Sequence, residues 1–419
     1  MKITVKPSVI DGSITAPPSK SVMQRAVAAA ILSGGELKLY NPSFSSDSLS
    51  ALGIAAQLGF DIKKQKDHVL LKQSGKAASN TFNCGESGLC MRMFPPVLSL
   101  RSGKMKIIGE GSLLARPVDM IEEPLRELGV MCKTNGGRLP IELEGPMKGG
   151  TATVDGTISS QFLSGLLLAL PAAPQDSTLK VKNLQSKPYI DITLGMLLDF
   201  GIEIEHKNYE EFHIKGNRIY TMDEYRIEGD WSGASFMLAA GAIAGKIKVS
   251  GLKMDSKQAD IRILEALEMA GTDIKLTGDT AIVAKNELHH FDFDATDCPD
   301  LFPPLVALAS LCKGTSLIYG ASRLRHKESD RAAALQTEFA AMGVQVEVDD
   351  DIMKVHGGKI KGGAVSSHND HRIAMACAAA AVAAEKPVSI KDAGCVKKSY
   401  PGFYRHLKAI GVEVDEQLR

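Results

Sequence analysis

Five short stretches of this chain combine hydroxyls, cations and carboxylates at spacings that could bind anions and move protons. Ser19-Lys20-Ser21 leads to Arg25, and Glu86-Ser87-Gly88 leads to Arg92. Ser159-Ser160-Gln161, Asp297-Cys298-Pro299-Asp300 and Asn369-Asp370-His371-Arg372 likewise stand at the start of apolar runs. Ser, Asp and Asn in such places are N-cap residues, each contributing about 1 kcal/mol, and capping accounts for most of those identities. It does not account for Lys20, Arg25, Arg92 and Arg372, because a cation near the positive end of a helix dipole is mildly unfavourable. An anion on the exposed N–H groups, countered by the basic side chains, would account for them. Two more segments are dense in charge. Residues 323–331, which include Lys327, Glu328 and Arg331, read by default as a solvated helix start, and residues 395–401, with Lys398, as a surface loop.

The elements that must carry these residues repeat. A helical pattern ending in Gly before a short alternating strand recurs at Gly59, Gly129, Gly201, Gly271, Gly343 and Gly411, spaced 70, 72, 70, 72 and 68 residues apart. Gly just past a helix accepts the left-handed conformation that terminates it. In phase with this series, apolar helices are expected to begin near Ser19, Ser87, Ser159, Ser232, Asp300 and His371. Strands such as 141–143 and 151–154 precede them, so each unit reads strand–helix–strand–helix–strand–strand. Six units divide into two α/β domains of three. The phase of the repeat assigns residues 1–17 and 230–419 to one domain and 18–229 to the other, with two crossings forming a hinge.

Composition narrows the function classes. At 419 residues, 44% hydrophobic and 23% charged, the chain is globular and long enough for two cores. With 49 basic and 49 acidic residues the net charge is zero, which argues against bulk electrostatic binding of nucleic acid. Seven cysteines without a CxxC pair suggest neither a disulfide framework nor a zinc site, and fit a reducing cytosol. The first residues read as a strand without a targeting pattern. The longest apolar run, residues 373–384, is too short to span a bilayer and reads as a buried helix.

Taken in order, Pro18-Ser19-Lys20-Ser21 with Arg25, Ser159-Ser160-Gln161-Phe162, Ser186-Lys187-Pro188-Tyr189-Ile190-Asp191, Lys327-Glu328-Ser329-Asp330-Arg331 and Asn369-Asp370-His371-Arg372 resemble the enolpyruvyl transferase family, in its shikimate-pathway branch. The resemblance runs from end to end. It implies a two-domain inside-out α/β barrel with three βαβαββ units per domain and an active site in the cleft between the domains. It implies two anionic substrates, shikimate 3-phosphate and phosphoenolpyruvate, no metal or organic cofactor, and a monomer. Carried over position by position, Lys20, Ser21, Arg25, Ser159, Ser160, Ser186, Tyr189, Asp300 and Lys327 resemble the shikimate 3-phosphate contacts. Lys20, Gly88, Arg116, Gln161, Arg331, Arg372 and Lys398 resemble the phosphoenolpyruvate pocket. Asp300, Glu328 and Lys20 take the proton-transfer roles, with His371 in support. A carboxyl that donates needs a raised pKa, hence a desolvated site.

Departures from the family pattern fall at Glu86-Ser87-Gly88-Leu89, at Met93 and at Arg323. The first two bear on the response to glyphosate, the third on contacts to shikimate 3-phosphate. The sister transferase that uses UDP-N-acetylglucosamine is the nearest rival, and residues 115–119 resemble its loop. Its reactive Cys has no counterpart in residues 109–114. A nucleic-acid clamp would spread basic residues over helix faces instead of gathering them at helix starts. A phosphate binder that had lost catalysis would have damaged acid–base residues, yet Asp300, Glu328 and Lys20 are all present.

Overall fold

The computed structural model describes residues 1–157 and 159–417. Its chain forms two compact units, Lys20–Ile227 and the pair of segments Met1–Ser19 and Glu228–Arg419. The described strands form six four-stranded sheets.

One repeat shows how sequence becomes structure. Strand Gly150–Asp155 leads through helix Ser160–Ala169 to strand Ser177–Lys182, which lies parallel to the first. Helix Lys187–Asp199 then leads to the antiparallel pair Glu205–Lys207 and Glu211–Ile214. Alternation along the strands buries Ala152, Val154, Leu179, Val181, Phe212 and Ile214 on one face. The Ser160–Ala169 helix is apolar nearly all round and buried on every side except at Gln161, so it belongs at the centre. The Lys187–Asp199 helix is amphipathic, burying Ile190, Ile192, Thr193, Met196 and Leu197. Pro188 sits in its first turn, where no intrahelical donor is lost.

The same plan holds in each unit. Helices Lys20–Ser33, Gly88–Leu98 and Ser160–Ala169 pack on one another, as do Trp231–Ala244, Phe302–Ala309 and His371–Ala381. The sheets lie outside them, which is the inside-out arrangement. All six phased glycines follow the outer helices with φ between 78° and 94°. Residues 373–384 belong to the buried helix and the turn after it, and no helix among the described residues is long and apolar enough to cross a membrane.

Both units are closed by strands borrowed from a distance. Glu224–Arg226 lies parallel to Glu36–Tyr40, and Ile10–Thr15 lies parallel to Gly245–Ser250. Lys2–Val5 fills the place between Val388–Lys391 and Val414–Gln417. A repeat that starts out of phase with the chain is thereby completed.

Candidate active site

In the unit built from Met1–Ser19 and Glu228–Arg419, the charged side chains meet at the starts of helices. Arg331 opens helix Arg331–Ala341 and is fully buried. Its guanidinium donates from Nε to Asp370 Oδ2 (3.0 Å), from Nη1 to Asp300 Oδ1 (3.0 Å) and from Nη2 to Glu328 Oε2 (2.6 Å). Three carboxylates on one buried Arg use its planar fork of donors in a way a Lys could not. Arg372 reaches Asp300 Oδ2 from Nη2 (2.8 Å) and the Ser232 hydroxyl from Nη1 (2.6 Å). Lys327 Nζ lies 4.0 Å from Asp300 Oδ1. Asp370 caps the His371–Ala381 helix through the Arg372 N–H and accepts from the Ser329 hydroxyl. Lys398 donates to the Asn369 carbonyl at 2.8 Å. His371, also buried, has Nδ1 3.9 Å from Asp370 Oδ1.

Lys327, Glu328, Arg331 and Lys398 are therefore not on the solvated surface that the charge of their segments suggests, although Arg325, Asp330 and Lys397 are exposed. Glu328 and Lys327 are about four-fifths covered, and Lys398 is buried on the Ala393–Lys398 turn. The physical reason in residues 327–331 is mutual neutralisation, Lys327 and Arg331 meeting Asp300 and Glu328, while Lys398 goes inside on the Asn369 carbonyl.

The electrostatics follow from those contacts. Burial pushes the Asp300 carboxyl up, but Arg372, Lys327 and Arg331 together outweigh it and hold it well below the usual carboxylate range. Burial lowers the Lys327 ammonium to about 8 despite Asp300 beside it, with Arg331 and Arg323 adding to the drop. Asp370 is held low by Arg331 against its own burial.

In the Lys20–Ile227 unit, Lys20 pairs with Asp47 at 2.9 Å. Gln24 donates to the Asp47 carbonyl (2.8 Å) and to the Ser87 hydroxyl (2.7 Å), tying two inner helices together. Arg92 is nearly buried and donates to Gln161 Oε1 (3.0 Å) and the Pro117 carbonyl (2.8 Å). It thus orients Gln161 and the turn bearing Arg116. Arg116 lies over Gly88, where an added Cβ would sit 2.8 Å from Cζ and closer still to Nη1. Ser159 caps its helix through the Gln161 N–H, with Ser160 buried behind it.

Arg25 is buried too. It donates to the Ser21 carbonyl, the Tyr189 carbonyl, Thr193 Oγ1 and Ser164 Oγ. None of these acceptors is a carboxylate, and burial pulls the guanidinium down to about 10, so its charge is solvated only by dipoles. Ser186 beside Tyr189 holds a left-handed backbone (φ 58°), a strained choice for a residue other than Gly. The acceptors described for Arg92 are neutral too. The uncompensated charge on Arg25 keeps the argument for an anion.

Among the departures, Glu86 accepts from the Ser112 N–H and hydroxyl (3.3 Å each), and Arg323 donates to the Thr296 carbonyl. Asp47, Ser232 and Asp260 escape the sequence reading. Asp47 lies in the first turn of an outer helix, where capping is a sufficient account. Ser232 is named only as a helix start, and Asp260 stands in a short turn with no patterned neighbour.

The sequence model of the EPSP synthase (3-phosphoshikimate 1-carboxyvinyltransferase) family matches residues 5–407. The chain belongs to that family. A 3-phosphoshikimate 1-carboxyvinyltransferase of Clostridium novyi (strain NT) is 37% identical over 99% of this chain and 98% of its own length. One from Clostridium perfringens (strain 13 / Type A) is 38% identical over 98% of each. Among solved structures, an EPSP synthase from Acinetobacter baumannii superposes with a TM-score of 0.82 at 25% identity, covering 99% of this chain and 100% of that one. An enolpyruvyl transferase from Streptomyces tendae, 17% identical with a TM-score of 0.79, shares the fold over 99% of this chain and 98% of its own.

Proposed function

We propose that the chain transfers the enolpyruvyl group of phosphoenolpyruvate to the 5-hydroxyl of shikimate 3-phosphate and releases phosphate. The observation that carries this beyond family membership is Arg331, whose single guanidinium holds both proton-transfer carboxylates, Asp300 and Glu328. Asp300 takes the proton of the attacking hydroxyl as its oxygen bonds to C2 of phosphoenolpyruvate. Glu328 gives a proton to the methylene C3, making the tetrahedral intermediate, and takes one back as the C2–O bond to phosphate breaks. Lys20 shares the proton handling and is held by Asp47.

Ion pairing makes Asp300 a weak base at rest. Phosphoenolpyruvate brings the remedy, because its carboxylate and phosphate compete for Arg331, Arg372, Arg116 and Lys398. As Arg331 and Arg372 are drawn to the substrate they loosen their grip on Asp300, which raises its carboxyl toward a working pKa. In the other unit, Ser21, Ser159, Ser160, Ser186 and Tyr189 surround shikimate 3-phosphate, whose phosphate offsets the charge of Arg25. Arg25 acts from behind, fixing the carbonyls of Ser21 and Tyr189. His371 supports the helix start that presents Arg372. The enzyme works as a monomer in the cytosol, where its seven buried thiols stay reduced.

Phosphate release from purified protein tests this reading. Release is expected with phosphoenolpyruvate and shikimate 3-phosphate together, accompanied by the enolpyruvyl product. Release only with UDP-N-acetylglucosamine as acceptor moves the assignment to the sister reaction, and release with neither removes it.

Gly88 gives a sharper check. Gly88→Ala places a methyl against the Arg116 guanidinium, which is the flexible end of its side chain and must swing aside. The expected result is a rise of about tenfold in KM for phosphoenolpyruvate, equivalent to ~1.4 kcal/mol of lost ground-state and transition-state binding. The KM for shikimate 3-phosphate should stay close to wild type. An unchanged KM for phosphoenolpyruvate would take Arg116 out of the pocket.

A further inference from the structure

Helix Arg331–Ala341 holds one loop at two places. That loop joins strand Gly363–Ser366 to helix His371–Ala381. It carries Asn369, whose carbonyl accepts from Lys398, and the turn that opens on Arg372. Arg331 takes the far end of the loop at Asp370. Glu338, seven residues further along and so on the same helix face, takes its near end. The Glu338 side chain is only 7% exposed. Its Oε2 accepts from the Ser366 N–H at 2.8 Å, and Oε1 stands 2.6 Å from His368 Nε2. His368 and Asn369 both have positive φ, 50° and 55°. Such a backbone is uncommon outside Gly, and two in succession persist only where the surroundings fix them. Every amide from Ser366 to Asp370 donates: Ser366 to Glu338, Ser367 to the Lys391 carbonyl, His368 to Ser366 Oγ, Asn369 to Ser367 Oγ and Asp370 to the Ser367 carbonyl. Lys391 thus holds Ser367, and Glu338 holds Ser366 and His368.

We propose that Glu338 is a positioning residue for phosphoenolpyruvate binding: through Ser366 and His368 it sets the loop on whose Asn369 carbonyl Lys398 is seated. This rests on the phosphoenolpyruvate reading of Lys398 and Arg372. A carboxylate accepts at both oxygens, so Glu338 makes both contacts at once. Glutamine can keep both. Its oxygen takes the Ser366 N–H, and its amide donates to His368 Nε2 once the imidazole proton sits on Nδ1. Alanine keeps neither, and the Ser366 N–H and the His368 ring lose their anchor. Arg331 retains its own grip on Asp370, Asp300 and Glu328, so the proton-transfer groups stay in place when Glu338 is changed.

Two readouts test this on the intact enzyme. Amide hydrogen exchange over residues 366–370, without substrate, should be about tenfold faster in Glu338→Ala than in wild type. This needs no turnover, so it stands apart from the substrate assignment, and unchanged exchange overturns the grip on the loop. In steady-state kinetics, Glu338→Ala should raise KM for phosphoenolpyruvate about tenfold, with kcat and KM for shikimate 3-phosphate within about twofold of wild type. Glu338→Gln should bring both exchange and KM back to within about threefold of wild type. Faster exchange with an unchanged KM, or a fall in kcat as large as the rise in KM, overturns the positioning role. A Glu338→Gln enzyme as impaired as Glu338→Ala overturns the account of two accepting oxygens. If Glu338→Ala does not fold, His368→Ala serves instead, since its ring is 40% exposed. It should raise KM for phosphoenolpyruvate about threefold and speed exchange at residues 368–370, and no change in either overturns the proposal.

Discussion

Replacing Arg331 with leucine is expected to lower the Tm by on the order of 10 °C at neutral pH and to reverse the sign of its pH dependence. Leucine fills much of the space but leaves Asp370, Asp300 and Glu328 without their shared cation. Removing one partner of a buried ion pair costs about 3–5 kcal/mol, and a domain of this size loses roughly 2–4 °C per kcal/mol. In the wild type, Asp370 is held below its ordinary value, so its contribution is fully present above about pH 4 and is lost as pH falls through the depressed folded value. Without Arg331, burial and the neighbouring carboxylate dominate, and the folded-state pKa of Asp370 rises above the unfolded one. The variant then gains stability on acidification from neutral pH and loses it as pH climbs. Thermal unfolding from about pH 4 to 8 checks this. A variant with unchanged Tm and wild-type pH dependence would mean that Arg331 does not carry the cluster.

Legibility in the sequence divides along a physical line. Six phased glycines sufficed for the repeat because a left-handed helix stop is a local requirement, and each of them has the positive φ that the reading demands. Apolar runs located the inner helices to within two residues, since a helix packed on all sides must be apolar on all sides. The start near Asp300 differs slightly: a single turn, Pro299–Leu301, precedes the Phe302–Ala309 helix. Contacts between repeats were not legible. Arg25 meets Thr193 from a repeat far along the chain, and Gln24 meets Ser87 from the next repeat. No spacing rule encodes such pairs, because they depend on how three helices converge. The charge-dense residues 323–331 misled for the same reason. Whether a charge is solvated or buried depends on whether a partner stands opposite, and Asp370 and Asp300 are supplied from elsewhere.

Substituting either proton-transfer carboxylate should abolish most turnover while leaving substrate binding detectable. Asp300→Asn keeps the shape and a hydrogen bond to Arg372 but cannot take the proton of the attacking hydroxyl. Glu328→Gln keeps a neutral acceptor for Arg331 but cannot deliver a proton to C3 or recover one. General acid–base groups contribute about 10²–10⁴-fold, so kcat should fall by that factor in each variant. KM and calorimetric affinity for shikimate 3-phosphate should change far less, because the phosphate contacts lie mainly in the other unit. Deuterium separates the two roles. In D2O the wild-type intermediate carries a methyl group bearing one deuteron, and loss of a proton from it leaves label in the vinyl carbon of the product. Residual product from Asp300→Asn should carry that label, since Glu328 is intact. Glu328→Gln must gain and lose a proton at C3 by a slower route, so label per phosphate released stays the same while kcat with phosphoenolpyruvate deuterated at C3 should show the larger isotope effect in this variant. Near wild-type turnover in either variant would remove that residue from proton transfer, and equal isotope effects in both would mean that C3 receives its proton from another group, with Lys20 the next to test.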